Sequence, residues 1–361
     1  MTLQARSGQH FLHGPVCVGI AKTYRRMRGK SHQQTRIGIS GWTYPPWRGV
    51  FYPKEVAQAR ELDYASRCVN SIEINGTFYS LQRPSSFQKW YDATPANFVF
   101  SVKGSRFITH LLRLRNVEQP LANFLASGLL GLKEKLGPIL WQFPPNFVFD
   151  ADRLHAFFQL LPKNTRAAAK MAKGHDERFK GRTLIKTDAN RLIRYAMEVR
   201  HPSFKRSEFI DILRQYNIAL VFADTAGRWP YSEDLTADFV YLRLHGDEEI
   251  YASGYSPTAL DRWAARLSAW SGGKEPREAE HWSSTKPEKL RGRDMFVYFD
   301  NDVKVKAPFD AMSLAHRLGP GAQGENQVAK EAPNSPKLTR KALAERVRSH
   351  WPGRRNGAKK N

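Results

Sequence analysis

From residue 36 to about residue 318, short runs of β-branched and aromatic residues alternate with segments whose apolar positions recur at i, i+3, i+4 and i+7. The runs with strand character are Arg36 to Ser40, Ser71 to Ile74, Phe98 to Lys103, Pro138 to Gln142, Arg194 to Val199, Ala219 to Ala223, Phe239 to Leu244 and Met295 to Phe299. Between them lie helical stripes such as Leu154, Phe157, Phe158 and Leu161, then Phe209, Ile212, Leu213 and Tyr216, then Leu260, Trp263, Ala264, Leu267 and Trp270. Such alternation predicts an α/β fold with a parallel sheet. Eight strands predict a closed TIM-type (β/α)8 barrel in preference to an open doubly wound sheet. No Gly-x-Gly-x-x-Gly turn follows any strand, so a dinucleotide site has no support. Two places depart from the regular pattern. Asp224 to Asp238 has room for only a very short helix, which Gly227 and Pro230 oppose, so one crossover is expected to be degenerate. Residues 163–193, rich in Lys, Arg and Gly, read as an insertion before strand five, either a helical lid or a solvated excursion.

A chain of 361 residues, 41% hydrophobic and 12% aromatic, can bury one large core, which assigns residues 36–318 to a single barrel domain. No apolar run approaches the roughly 18 residues that span a bilayer, Val16 to Ala21 being far too short, so no membrane partner is expected. Cys17 and Cys68 stand in no metal-ligand or redox spacing, which suits a reducing cytoplasm. The net charge of +23 is spread unevenly: residues 1–35 carry +6 and residues 321–361 carry +7, leaving +10 for residues 36–320. Residues 1–35 and 319–361 therefore read as basic, mostly disordered extensions, with a short helix suggested by Leu343 and Val347. Such ends bind nucleic acid weakly and without sequence preference. The run Arg25, Arg26, Arg28 and Lys30 follows the early apolar patch, the reverse of a secretory signal. Met27, nine residues before the first strand, offers an alternative start.

Alternate strand residues enter a barrel's lumen, and those at the C-terminal strand ends meet the substrate. On this parity Glu73 and Asn75 enter from strand two, and Lys103 from strand three with His110 soon after it. Gln142 ends strand four, while strand five supplies Glu198 and Arg200, with His201 held extended before Pro202. Asp224 ends strand six, strand seven turns Tyr241, Arg243 and His245 to one face, and strand eight does the same with Tyr298, Asp300 and Asp302, with Asn301 between. Glu73, Glu198, Asp224 and Asp300 are the catalytic candidates. Glu73 and Glu198, from separate sides of the barrel, suit acid and base roles in hydrolysis or isomerisation, although pairing with a lumen Arg or Lys produces the same pattern. Lys103, Arg200 and Arg243 suit a phosphate or carboxylate, or else balance those acids. Trp42 and Tyr44 can stack on a sugar or base, but aromatic side chains in a Pro-rich loop more often close the mouth by packing. Glu73, Glu198, Asp224, His245 and Asp300 include the ligand types for a divalent cation. No compact pattern such as H-E-x-x-H supports one, so metal is not favoured and the cofactor stays unassigned.

Ile37-Gly38-Ile39-Ser40-Gly41-Trp42-Thr43-Tyr44, followed by Trp47-Arg48-Gly49-Val50-Phe51-Tyr52-Pro53, resembles the opening of the YecE-like family, domain of unknown function 72 (DUF72). Glu73-Ile74-Asn75-Gly76-Thr77-Phe78-Tyr79, Phe100-Ser101-Val102-Lys103, Ile108-Thr109-His110, Leu136-Gly137-Pro138-Ile139-Leu140-Trp141-Gln142-Phe143-Pro144-Pro145, Glu198-Val199-Arg200-His201, Tyr241-Leu242-Arg243-Leu244-His245-Gly246 and Tyr298-Phe299-Asp300-Asn301-Asp302 continue in the family's order. The resemblance implies a β/α-type barrel but no reaction, and its recurring polar residues carry over as site candidates only. Gly76, where serine is usual, removes a hydroxyl beside the site. The leading expectation is an enzyme acting on a small or polymeric anionic substrate, such as a sugar phosphate or a nucleic-acid-like chain, by carboxylate acid/base chemistry. The alternatives are a metal-assisted phosphoesterase or nuclease using Asp224, His245 and Asp300, and a non-catalytic nucleic-acid binder working through its basic ends.

Overall fold

The structure, a computed structural model, describes residues 33–251, 253–302 and 305–324. Most of the two basic extensions, with Cys17, Met27, Leu343 and Val347, lies outside the described residues. Strands β1 (Thr35–Ser40), β2 (Ser71–Ile74), β3 (Val99–Lys103), β4 (Leu136–Gln142), β5 (Tyr195–Glu198), β6 (Ala219–Asp224), β7 (Phe239–Leu244) and β8 (Asp294–Phe299) pair in parallel in sequence order. Pairing of β8 with β1 closes the barrel. The expected TIM-type fold is thus present, and each strand lies within two residues of the bounds read from the sequence. Gly38 permits the closest approach of β1 to β2, since a Cβ there would lie 1.7 Å from the Ser71 carbonyl oxygen.

The helices are α1 (Glu61–Cys68), α2 (Gly76–Tyr79), α3 (Pro84–Asp92), α4 (Glu118–Ala126), α5 (Ala151–Leu160), α6 (Thr165–Ala172), α7 (Ser207–Tyr216), α8 (Pro257–Ser271) and α9 (Ala307–Leu318). Local chemistry fixes several ends. Asp150 caps α5 by accepting from Arg153 N at 3.0 Å, and Asn164 caps α6 by accepting from Ala167 N at 2.9 Å. Asn217 ends α7 in the left-handed region at φ 54°. The stripes on α5, α7 and α8 bury Leu154, Phe157, Phe158, Phe209, Ile212, Leu213, Leu260, Trp263, Leu267 and Trp270. Each large apolar side chain so buried contributes about 1.5–3 kcal/mol against its exposed state.

The degenerate crossover carries no helix at all between β6 and β7. An irregular polar layer covers this sector instead: Glu233 N donates to Glu280 O at 2.7 Å, Asp234 accepts from Trp282 N at 2.7 Å, and Arg266 grips Glu233 at 2.5 Å. Residues 163–193 pack beside α4 rather than over the barrel's mouth. Leu184 N donates to Ala126 O at 2.8 Å, Asp176 N donates to Asn123 at 2.7 Å, and Arg191 approaches Glu134, just before β4 begins.

Lumen-facing residues change character along the barrel axis. Near the strands' N-terminal ends Phe239 meets Phe296 edge-on, and Arg194, paired with Asp294 at 2.8 Å, lies over both rings. Leu140, Ala196, Ala219, Val221 and Ala223 fill much of the remaining lumen. Hydroxyl groups come next: Tyr298 meets Ser71 at 2.8 Å, and Tyr241 meets Ser101 at 2.6 Å. Charged side chains crowd the C-terminal ends above them.

Candidate functional site

The alternation of inward and outward positions brings Glu73, Lys103, Gln142, Glu198, Arg200, Arg243, His245 and Asp300 to one mouth. Arg243 is the hub and has no exposed surface. Its Nη2 donates to Asp300 Oδ2 at 2.7 Å, to Glu73 Oε1 at 2.9 Å and to Ser40 Oγ at 3.3 Å. Its Nε donates to Glu73 Oε2 at 3.2 Å, and its Nη1 to Glu198 Oε2 at 2.8 Å. One planar fork therefore serves carboxylates from three strands, a geometry arginine supports and lysine does not.

The second partners of these acids are also in place. Glu73 accepts from Ser40 Oγ at 2.8 Å and from the Tyr241 hydroxyl at 2.6 Å. Glu198 Oε1 accepts from Gln142 Nε2 at 2.8 Å and from Arg200 Nε at 2.9 Å, with Arg200 Nη2 2.8 Å away in the same ion pair. Burial alone would raise the Glu198 carboxyl, but Arg200 and Arg243 overcome it and hold the group well below the usual carboxylate range. Asp300 is likewise depressed, with Arg243 and then His245 outweighing burial. His245 Nδ1 comes within 3.2 Å of Asp300, yet the approach is too poorly aligned for a hydrogen bond. Burial and Arg243 keep that imidazole below its ordinary pKa.

The β3 side of the mouth is different. Lys103 is buried, and its Nζ lies 4.5 Å from the centre of the Phe78 ring. Among the described residues the ammonium makes no hydrogen bond or ion pair. Burial, and then Arg243, bring its pKa down to about 8 against the opposing pull of Glu73, Glu198 and Asp300. His110 stands beside it, packed edge-on against Phe78 and joined through Nδ1 to Thr109 Oγ1 at 2.8 Å. Burial, with Lys103 and Arg200 as neighbours, lowers His110 to about 3, so the ring is neutral at physiological pH and can offer Nε2 to a ligand. Arg200, lying over Trp229 at 5.2 Å, keeps Nη1 outside its bonds to Glu198.

The other candidates lie elsewhere or at the rim. Ala219, Val221 and Ala223 take the inward positions of β6, so Asp224 turns outward and accepts from the Tyr255 hydroxyl at 3.0 Å. Asp224, His245 and Asp300 therefore form no common ligand set, and among the described residues no three His, Cys, Asp or Glu are grouped to hold a metal ion. Asn301 also faces out, donating to Asp310 at 2.8 Å and to Ser253 O at 3.0 Å. His201 caps the 3-10 turn Pro202–Phe204 through Ser203 N. Trp42 packs edge-on against Trp90, whereas Tyr44 stacks on Trp47 and gives its hydroxyl to Ser40 O at 2.5 Å, close to Asp300, Asp302 and Asn75. The Asp302 carbonyl accepts from Trp47 Nε1 at 3.3 Å. Ser40, Ser101, Phe78, Trp229 and Tyr251, the last packed edge-on against His245, were not among the residues the sequence singled out. The two serines occupy lumen-facing positions and were findable by parity; Trp229 and Tyr251 sit on irregular loops that carry no such signal.

The family model described as "Protein of unknown function DUF72" matches residues 36–336. The chain is similar to the UPF0759 protein YecE of Escherichia coli (strain K12), 26% identical over 242 residues, which cover 65% of this chain and 81% of that protein. It is 30% identical over 116 residues to the UPF0759 protein YunF of Bacillus subtilis (strain 168), covering 31% of this chain and 40% of that one. A solved DUF72 family protein from Thermotoga maritima MSB8 aligns with TM-score 0.60 and 24% identity over 79% of this chain and 99% of its own. One from Enterococcus faecalis V583 aligns with TM-score 0.57 and 16% identity, covering 84% and 99%. At these identities the structural likeness concerns the shared fold.

Proposed function

The chain belongs to the family of proteins of unknown function DUF72, and from that premise we propose that its barrel mouth binds an anionic substrate on the β3–β5 side and acts on it there. The observation that carries this reading is the distribution of free hydrogen-bonding capacity. Both oxygens of Glu73 accept from two donors each, and Glu198 accepts from two at Oε1 and from Arg243 at Oε2, which leaves those acids poorly placed to move protons. Among the described residues Lys103 and Nη1 of Arg200 are donors with no hydrogen-bonded acceptor, and Nε2 of neutral His110 joins them when Thr109 donates to its Nδ1. A phosphate or carboxylate would supply the missing acceptors, and the apolar Phe78 and Trp229 rings would strengthen the attraction by excluding water. The proposal thus moves the working role from the two glutamates to Lys103 and treats Glu73, Glu198 and Asp300 as the frame that holds Arg243.

Isothermal titration with inorganic phosphate, glyoxylate and pyruvate tests this. Wild-type protein is expected to bind at least one of them, and Arg200→Met to weaken that binding about 10- to 100-fold, the worth of one charge-assisted hydrogen bond. No binding of any of the three by the wild type, or unchanged binding by the variant, would overturn it.

A further inference from the structure

The chain contains an internal control for what a buried lysine does when its role is structural. Lys135, at the opposite end of the barrel wall, is as buried as Lys103, and its ammonium donates to Tyr91 O at 2.7 Å, Thr94 O at 2.8 Å and Thr94 Oγ1 at 3.1 Å. All three protons of Lys135 are placed. Lys103 has comparable burial and three carboxylates within electrostatic reach, yet among the described residues it donates to none of them, whereas the Arg243 and Arg200 forks grip all three. Among the described residues, deprotonating Lys103 therefore breaks no hydrogen bond and leaves its lone pair uncommitted beside the Phe78 ring. Its position at the C-terminal end of β3 is where a barrel presents reactive groups to a substrate.

Resting on the anion-binding reading above, we propose that Lys103 is a nucleophile that forms an imine with a carbonyl-bearing anion, of the 2-oxo acid or aldehyde-acid class. Arg200 and His110 hold the anionic group while the carbonyl carbon meets Nζ. The amine lone pair forms the C–N bond as the carbonyl π pair moves to oxygen, and proton transfer from nitrogen to that oxygen gives a carbinolamine. The ammonium's first proton passes to solvent before the attack; a proton from solvent then joins the carbinolamine hydroxyl, the C–O bond breaks to release water, and the nitrogen lone pair forms the C=N bond. From the ammonium and the carbonyl compound the products are one protonated imine and one water, so charge and atoms balance with no oxidant or reductant. The protonated imine keeps the positive charge where Glu73, Glu198 and Asp300 already favour a cation. Burial beside another cation, the environment that lowers Lys103 to about 8, is the usual means of activating an amine nucleophile.

The test is reductive trapping. Full-length protein is incubated with glyoxylate or pyruvate near pH 8 and treated with borohydride, and the stable secondary amine is located by peptide mass mapping. The expected result is one adduct per chain on the peptide containing Lys103, formed at least 10-fold faster than on any exposed lysine. Lys103→Arg should lose that adduct while keeping its circular dichroism spectrum. Peptide mapping of the wild type decides the matter even if that variant fails to fold. Adducts spread over surface lysines with none at Lys103, while calorimetry still shows glyoxylate binding, would overturn the imine and leave the anion site standing. Absence of both binding and trapping would remove the two together.

Discussion

Two cations enter the same mouth from opposite walls, and they live in different chemistry. On the β7–β8 side Arg243 is locked by four hydrogen bonds to three carboxylates, with a fifth to Ser40, and Tyr241 backs Glu73. On the β3–β5 side Lys103 rests on an aromatic face and, among the described residues, donates to no acceptor. Burial is nearly equal, so burial does not distinguish a structural charge from a working one; the state of the hydrogen-bond donors does. A saturated network stiffens the strand ends, and an unsaturated group beside it is positioned by that stiffness while keeping its capacity for a ligand.

The difference can be broken most violently at Arg243. Arg243→Met leaves Glu73, Glu198 and Asp300 buried without their shared counter-ion, and the expected loss is about 3–5 kcal/mol by urea denaturation. Pairing it with Glu73→Gln should recover part of that loss, because one of the stranded charges is gone. A loss under about 1 kcal/mol would mean that the hub does not hold the frame. Next in size is Tyr241→Phe, which removes a buried hydroxyl from Glu73 and Ser101 and should cost about 1–2 kcal/mol. An unchanged melting midpoint would mean that Glu73 is held by Arg243 and Ser40 alone.

The same side predicts an acid limb. Glu198 and Asp300 have folded pKa values below their ordinary 4.5 and 3.8, so the stability they confer is fully present above those values and is lost as pH falls through the lower folded ones. Denaturation of Glu198→Gln followed from pH 6 downward should start from a lower stability and fall less steeply than wild type. Parallel curves would remove Glu198 from the acid response.

Much of this division lies beyond what the residue pattern can convey. Strand positions were legible because eight β-branched runs stand between helical stripes, and period-two alternation correctly turned Glu73, Lys103, Glu198, Arg243 and Asp300 into the mouth. Asp224 and Asn301 each stand one residue past an inward position, so alternation itself turns them outward, where they fasten loops through Tyr255 and Asp310. His201 was legible as extended before proline but not as a cap, a role decided by local backbone geometry at Ser203. Alternation says which side chains enter a lumen; it does not say which acid meets which base. Arg243 wins all three carboxylates because its fork reaches across the barrel from β7, a fact of three-dimensional distance that leaves no trace in spacing.

The smallest expected effect is also the sharpest, because its sign reverses. Lys103→Met removes a charge that makes no hydrogen bond, and Met fills similar volume against Phe78, so at neutral pH stability should rise by on the order of 1 kcal/mol where the Arg243 and Tyr241 variants lose it. The pH dependence provides an independent check. A lysine whose folded pKa is about 8 and whose unfolded value is 10.5 binds more protons unfolded than folded between those limits. Wild-type stability should therefore carry a contribution that rises with pH across that window, and Lys103→Met should lack it. If the variant is destabilised by 2 kcal/mol or more, or if its stability follows the wild-type pH curve above 8, Lys103 has partners as binding as those of Arg243, and the two sides of the mouth are not distinct.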